Sequence, residues 1–223
     1  MTGLINRSRN AFMKGMVVNK MKNIVKITAG VLMLVCVLIG YIPEPEYVVE
    51  LTCISNTVGG LLLIADGIFG ITKKGKLPNA LYLNVTVCIL MVFLVCMGSL
   101  TGIYRFNFKG AFFFLHVVNP LVFAACYMLF VDEKQHKVKY ALTAPIMSMV
   151  YFLFDYIRCQ FTGEFVYGFV SPEELTLFYA IITGVILYLF IALLGLGLFI
   201  LNRITHRFFL ETKPEAAKTN GAG

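Results

Sequence analysis

The sequence predicts an all-α protein: a bundle of six transmembrane helices with both termini in the cytoplasm. Three observations carry that prediction. Of the 223 residues, 59% are hydrophobic and only 14% are charged, against about 25% charged in a soluble domain. The apolar residues gather into six blocks, each near the ~20 residues that a helix needs to cross hydrocarbon. The basic residues then fall almost entirely on one side of those blocks. Lipid offers no partner to backbone N–H and C=O groups, so helix is the state expected of each block. The alternating segments of about 10 residues that mark a barrel do not occur.

The chain opens with a basic segment, residues 1–23, carrying Arg7, Arg9, Lys14, Lys20 and Lys22. It reads as an amphipathic helix on the inner membrane surface. A cleaved signal peptide fits poorly, because Tyr41-Ile42-Pro43-Glu44 is not a small-residue cleavage site. Block one spans Ile24–Tyr41 and block two Val48–Ile71. Block two holds Gly59, Gly60, Gly67 and Gly70, which suit close helix approach. It also holds Thr52, Ser55, Asn56 and Asp66. Asp66 lies about two turns from Lys73 and is expected to snorkel towards that basic loop. Block three spans Leu77–Thr101 and block four Ala111–Val131, with His116 and Asn119 inside it. Block five, Val138–Arg158, carries Asp155 and Arg158, three apart and able to pair on one helix face. Block six, Pro172–Asn202, starts at Ser171-Pro172-Glu173-Glu174, which reads as a cap, a first-turn proline and two acids at the positive helix end. The tail, residues 204–223, is expected to be partly disordered, chiefly after Leu210.

Orientation follows from the loops. The segment before block one, the loops holding Lys73, Lys74 and Lys76 and holding Lys134, Lys137 and Lys139, and the tail with Arg203, Arg207, Lys213 and Lys218 share one side. Counting Lys26 with the first segment, that side takes sixteen of the nineteen Lys and Arg; Arg105, Lys109 and Arg158 take the other. Positive charge stays inside, so both termini are cytoplasmic. The net charge of +7 then reflects basic loops beside anionic lipid, and no nucleic-acid partner is implied. The six cysteines form no CxxC pair and read as small hydrophobes. His116 is alone in the spans, which argues against haem ligation and a histidine metal site. No metal or other cofactor is expected.

Polar residues inside a membrane mark candidate sites. Blocks two and four both enter from the outer side, and Thr52 and His116 each lie about five residues in, roughly 7 Å deep. Asn56 is one turn deeper on the Thr52 face, and Arg158 ends block five on the same side. Such a layer suits acyl transfer. A threonine hydroxyl is a weak nucleophile until a base removes its proton, and neutral histidine is the usual base near pH 7. Arg158 or Asn56 would stabilise an oxyanion, and Asp155 would orient the imidazole. The plainer reading of a lone His116 is a buried imidazole satisfied by a neighbour.

At these residues the chain resembles a known family. Leu51-Thr52-Cys53-Ile54-Ser55-Asn56 resembles the threonine-centred start of the second span in the androgen-induced membrane proteins and their bacterial six-span relatives. Leu115-His116-Val117-Val118-Asn119-Pro120-Leu121 resembles their fourth span. Asp155-Tyr156-Ile157-Arg158, followed by Thr162-Gly163-Glu164-Phe165-Val166-Tyr167-Gly168-Phe169, is similar to their fifth span and its aromatic loop. The order and spacing match from about residue 24 to 203, more closely in the bacterial branch. The animal members are threonine hydrolases of fatty acid esters of hydroxy fatty acids. The resemblance therefore implies a lipid-ester hydrolase with Thr52 as nucleophile and His116 as its partner. Ser55, Asn119 and Tyr167 are the expected substrate-binding residues, and the implied partner is a membrane lipid or fatty-acyl ester. Asn119 stands where an apolar residue is expected, and the Asp-Tyr-Ile-Arg stretch departs from the animal hydrolases.

The competing reading is a small transporter or lipid-binding protein without chemistry, motivated by Asp66, Asp155 and Arg158. Transporters show paired half-repeats, and no internal repeat is present. Short loops favour a bacterial cytoplasmic membrane, with the endoplasmic reticulum or plasma membrane as the eukaryotic counterpart.

Overall fold

The structure is a computed structural model and describes residues 2–73, 75–99, 110–167 and 176–210, without the side chains of residues 2–15, 99, 209 and 210. Six helices in it are long and apolar enough to cross a membrane, and no strand occurs among the described residues. The protein is an all-α, multi-pass membrane protein. Its helices are α1, Thr2–Tyr41; α2, Leu51–Thr72; α3, Asn79–Ser99; α4, Gly110–Phe130; α5, Ile146–Thr162; and α6, Leu177–Thr205.

Several boundaries differ from expectation for local reasons. The basic segment does not stand apart from block one. No proline interrupts residues 2–41, and Lys and Arg are good helix formers, so one helix runs through both. Block five opens with a 3₁₀ stretch, Val138–Thr143, and Pro145 starts the α-helix. That helix continues a turn beyond Arg158 to Gly163, whose φ of 78° closes it in the left-handed region. α6 begins at Leu177 rather than Pro172, because Thr176 is extended (ψ 162°) and its carbonyl accepts the first helical bond from Ala180 at 2.8 Å. The Ser171–Glu174 cap, Arg105, Lys109, Gly168, Phe169, Thr101 and the tail after Leu210 lie outside the described residues.

α3 is the most enclosed helix. Its Leu83, Val87, Cys88 and Ile89 are at most 1% exposed, and it touches α2, α4, α5 and α6. α1 and α2 cross tightly. A Cβ on Gly30 would stand 2.5 Å from the Gly60 carbonyl oxygen, so glycine is required there to let the two backbones meet.

Polar groups collect at the two ends of the bundle. At one end Asp66 does not reach for Lys73. It accepts from Lys26 at 2.6 Å, from the Tyr82 hydroxyl at 2.7 Å and from the Leu77 N–H at 3.2 Å. Lys26 belongs to α1 and is only 9% exposed, so its charge is held inside the bundle and not in a loop. A buried carboxylate takes the nearest desolvated cation in preference to a distant solvated one, since the pair removes two uncompensated charges together. At the same end Asn202 accepts from the Glu133 N–H and donates to the Tyr127 and Val131 carbonyls, tying α6 to the end of α4.

Candidate active site

Thr52 is the second residue of α2. Its helix has no side-chain cap: Glu50 precedes it in extended backbone, and its own carboxylate accepts from the Tyr41 hydroxyl at 2.8 Å. The first amides of a helix lack intrahelical partners. The Thr52 N–H finds one in the phenol oxygen of Tyr167, 3.2 Å away and 115 residues later in the chain. Tyr167 thus caps α2 from the loop after α5, and its hydroxyl lies 3.4 Å from Thr52 Oγ.

His116 sits in a single π-turn, Phe114–Val118, inside α4. The cause is written in Asn119-Pro120. In a regular helix the Pro120 ring would clash with the His116 carbonyl, and a wide turn relieves it. The Asn119 N–H accordingly reaches back five residues to the Phe114 carbonyl. The imidazole stacks on Phe112, with ring centroids 4.1 Å apart.

The ring's protonation follows from its partners. Nδ1 lies 2.9 Å from the Phe112 carbonyl oxygen, which only accepts, so Nδ1 carries the proton. In the neutral ring Nε2 then presents its lone pair. Thr52 Oγ lies 3.3 Å from Nε2 and donates to it. With its own proton directed at His116, Thr52 Oγ accepts from Tyr167. Burial pushes the Tyr167 phenol up to about 12, which keeps it a neutral donor at ordinary pH.

A polar brace fixes this pair. Asn56, fully buried, donates to the Thr52 carbonyl at 2.8 Å and to the Leu115 carbonyl at 3.2 Å. Its side-chain oxygen accepts from Asn119 at 2.9 Å. The Ser55 hydroxyl donates to the Thr52 carbonyl at 3.4 Å. Asn56 and Asn119 therefore lock the first turn of α2 to the π-turn of α4. Both Asn56 N–H groups face backbone carbonyls, which makes this residue a brace and leaves no donor for an oxyanion.

Asp155 and Arg158 act one step away. Asp155 accepts from the Val166 N–H at 3.0 Å, and Arg158 donates to the Glu164 carbonyl at 3.0 Å. The Thr162 hydroxyl lies 3.1 Å from the same carbonyl. Together they shape the turn that delivers Tyr167 to Thr52. Arg158 is not among the residues lining the cavity, whereas Asp155 is.

Sequence reasoning missed two contributors. The Phe112 carbonyl has no side-chain signature. Tyr167 entered only as a binding candidate; the tyrosine in a short polar turn after a span was its one signal.

The pair opens into a cavity of about 650 Å³, within the 300–1,000 Å³ usual for small-molecule sites. Its deeper wall is apolar, formed by Met91, Val92, Leu187 and Ile191. No family model, curated protein or solved structure matches the chain. Fold and site together define a multi-pass membrane protein with a threonine–histidine pair at one end of an apolar cavity.

Proposed function

We propose that this protein is an intramembrane lipid-ester hydrolase, related to the androgen-induced membrane proteins, acting on fatty-acyl esters such as fatty acid esters of hydroxy fatty acids. One observation carries the reading. Thr52 Oγ donates to His116 Nε2 at 3.3 Å while Nδ1 is bound to a carbonyl, and the pair faces an acyl-sized apolar cavity. Thr52 Oγ attacks the ester carbonyl carbon as its proton passes to Nε2. The oxyanion forms at the N-terminus of α2, where the helix dipole is positive, and the Tyr167 hydroxyl, released from Thr52 Oγ as that oxygen attacks, is its donor. The alcohol leaves with the proton from His116. Water, deprotonated by the same nitrogen, then cleaves the acyl-threonine to release the fatty acid. The one-sided distribution of Lys and Arg supports an outward-facing site with cytoplasmic termini.

Transport is the weaker reading. A conduction path needs polar groups from Asp155 through to Asp66. At the level of Gly59 the bundle is filled by Met33, Ile89 and Phe123, each at most 1% exposed. This apolar layer favours a blind cavity over a channel.

The test is labelling of purified protein with a fluorophosphonate activity probe, alongside hydrolysis of a fatty acid ester of a hydroxy fatty acid. Wild type is expected to label and hydrolyse, and Thr52→Ala and His116→Ala to do neither. Equal labelling of wild type and Thr52→Ala would remove the nucleophile assignment.

A further inference from the structure

The cavity has a closed end that three helices build. Met91 and Val95 on α3, Ser148 and Phe152 on α5, and Leu187 and Ile191 on α6 line it, each pair spaced one helical turn apart. One turn further towards the Asp66 end, the same three segments present Val87, Ala144 and Gly195, and none of these lines the cavity. Val87 and Ala144 are 0% exposed. A Cβ on Gly195 would collide with the Ala144 Cβ and stand 3.6 Å from Val87 Cγ2, so glycine here lets α6 press against both. Met91, Ser148 and Ile191 therefore rest on a sealed floor. At the opposite end the exposed Glu44 and Tyr47 line the cavity and mark its mouth.

Depth and chemistry assign this blind arm. Asp155 stands beside the reacting end, bound to the Val166 N–H next to Tyr167. Ser148 is seven residues deeper on α5, about 10 Å at the rise of a helix. In hydrolysis through Thr52 the two halves of the ester part at different times. The alcohol leaves first and water takes its place, while the acyl half stays bonded to Oγ until the second step. A half that departs early suits the mouth. A half that is retained suits an arm with no exit.

We propose that the arm between α3, α5 and α6 holds the acyl chain, and that Met91, Ser148 and Ile191 set the longest chain the site takes. This rests on the hydrolase reading and names the part of the substrate selected within it. Lipid tails are as apolar as the arm, so methylenes that fit change little when substrate is counted per bilayer lipid. A methylene beyond the floor has to be overpacked or withdrawn towards the mouth, and the rate falls.

The experiment measures kcat/KM in nanodiscs for straight-chain acyl esters of one alcohol, and for a matched series that varies the alcohol at a fixed acyl chain. The acyl series is expected to be flat and then to drop by about tenfold, or ~1.4 kcal/mol, at one length. The alcohol series should show no such drop. Ser148→Leu raises the floor and moves the cut-off to shorter chains; Met91→Ala lowers it and moves the cut-off to longer ones. Opposite shifts are a signature that a change in stability alone does not produce, and either variant suffices if the other fails to fold. In parallel, the same esters displace a fluorescent fatty-acyl probe from Thr52→Ala protein, which reads binding without turnover. Hydrolysis without a cut-off, with one that neither variant moves, or with one in the alcohol series alone overturns the acyl arm and leaves the hydrolase reading intact. No hydrolysis, with a displacement cut-off that the variants shift, overturns the hydrolase reading and keeps the arm. Absence of both defeats both.

Discussion

Asn56 gives the sharpest test of how the site is built. Asn56→Ala removes three hydrogen bonds, to the Thr52 and Leu115 carbonyls and from Asn119. Polar contacts between membrane helices average about 0.6 kcal/mol and reach about 1.7. Two such contacts to α4, one bond within α2 and the small void left behind put the expected loss of stability at about 2–3 kcal/mol. The informative quantity is the coupling to Asn119. Asn119 donates to Asn56 at 2.9 Å, so once Asn56 is gone, Asn119→Ala has less to remove. The double variant should be more stable than the sum of the singles predicts, by about 0.6–1.7 kcal/mol. The chain contains no tryptophan, so reversible unfolding in mixed micelles is followed by circular dichroism. Additivity within about 0.3 kcal/mol would refute the brace between α2 and α4.

Three further outcomes are expected. ¹⁵N NMR of labelled His116 at neutral pH should find the proton on Nδ1; a proton on Nε2 would remove the base that the proposed mechanism needs. Lys26→Met strands the Asp66 carboxylate and should cost about 3 kcal/mol, while Lys26→Met with Asp66→Leu recovers most of it, both read by the same unfolding assay. A single variant no less stable than the double would contradict the buried pair. Glu133 lies beyond the end of α4, 2% exposed, and burial raises its carboxyl above the ordinary range despite His136 at 3.2 Å. Between its unfolded and folded values the folded protein holds the extra proton, so stability falls as pH rises through the raised folded value. Glu133→Gln should raise the melting temperature at pH 8 and change it little at pH 4.5; an equal gain at both would exclude the titration.

The fold was legible because hydropathy is a one-dimensional signal in a membrane, where burial in lipid and burial in protein look alike. The same blindness hid the packing. Lys26 sits two residues inside block one, where a count of charges assigns it to a loop; only the meeting of α1 with α2 turns it inward to Asp66. Depth counting brought Thr52, Asn56 and His116 into one layer, because rise per residue is nearly constant along helices entering from the same side. It did not separate the roles proposed for Thr52 and His116 from the brace made by Asn56, which depend on which way each side chain faces. Asp155 and Arg158 stand three apart and read as partners; in the folded chain the 163–167 turn offers backbone groups to each. The π-turn had a visible cause, a proline within block four, though its effect on His116 required knowing which carbonyl it displaces.

The Phe112 carbonyl that sets the His116 ring has a consequence for heredity. In a Ser-His-Asp hydrolase the group that steadies the histidine is a side chain, and one nucleotide change can delete it. Here every residue that position 112 accepts will present the same oxygen. The group that holds the ring is carried by the shape of the helix and is invisible to mutational scanning, which under the proposed mechanism would report two side chains where three groups take part. Only replacing the backbone amide itself, or straightening the turn by removing Pro120, can take it away.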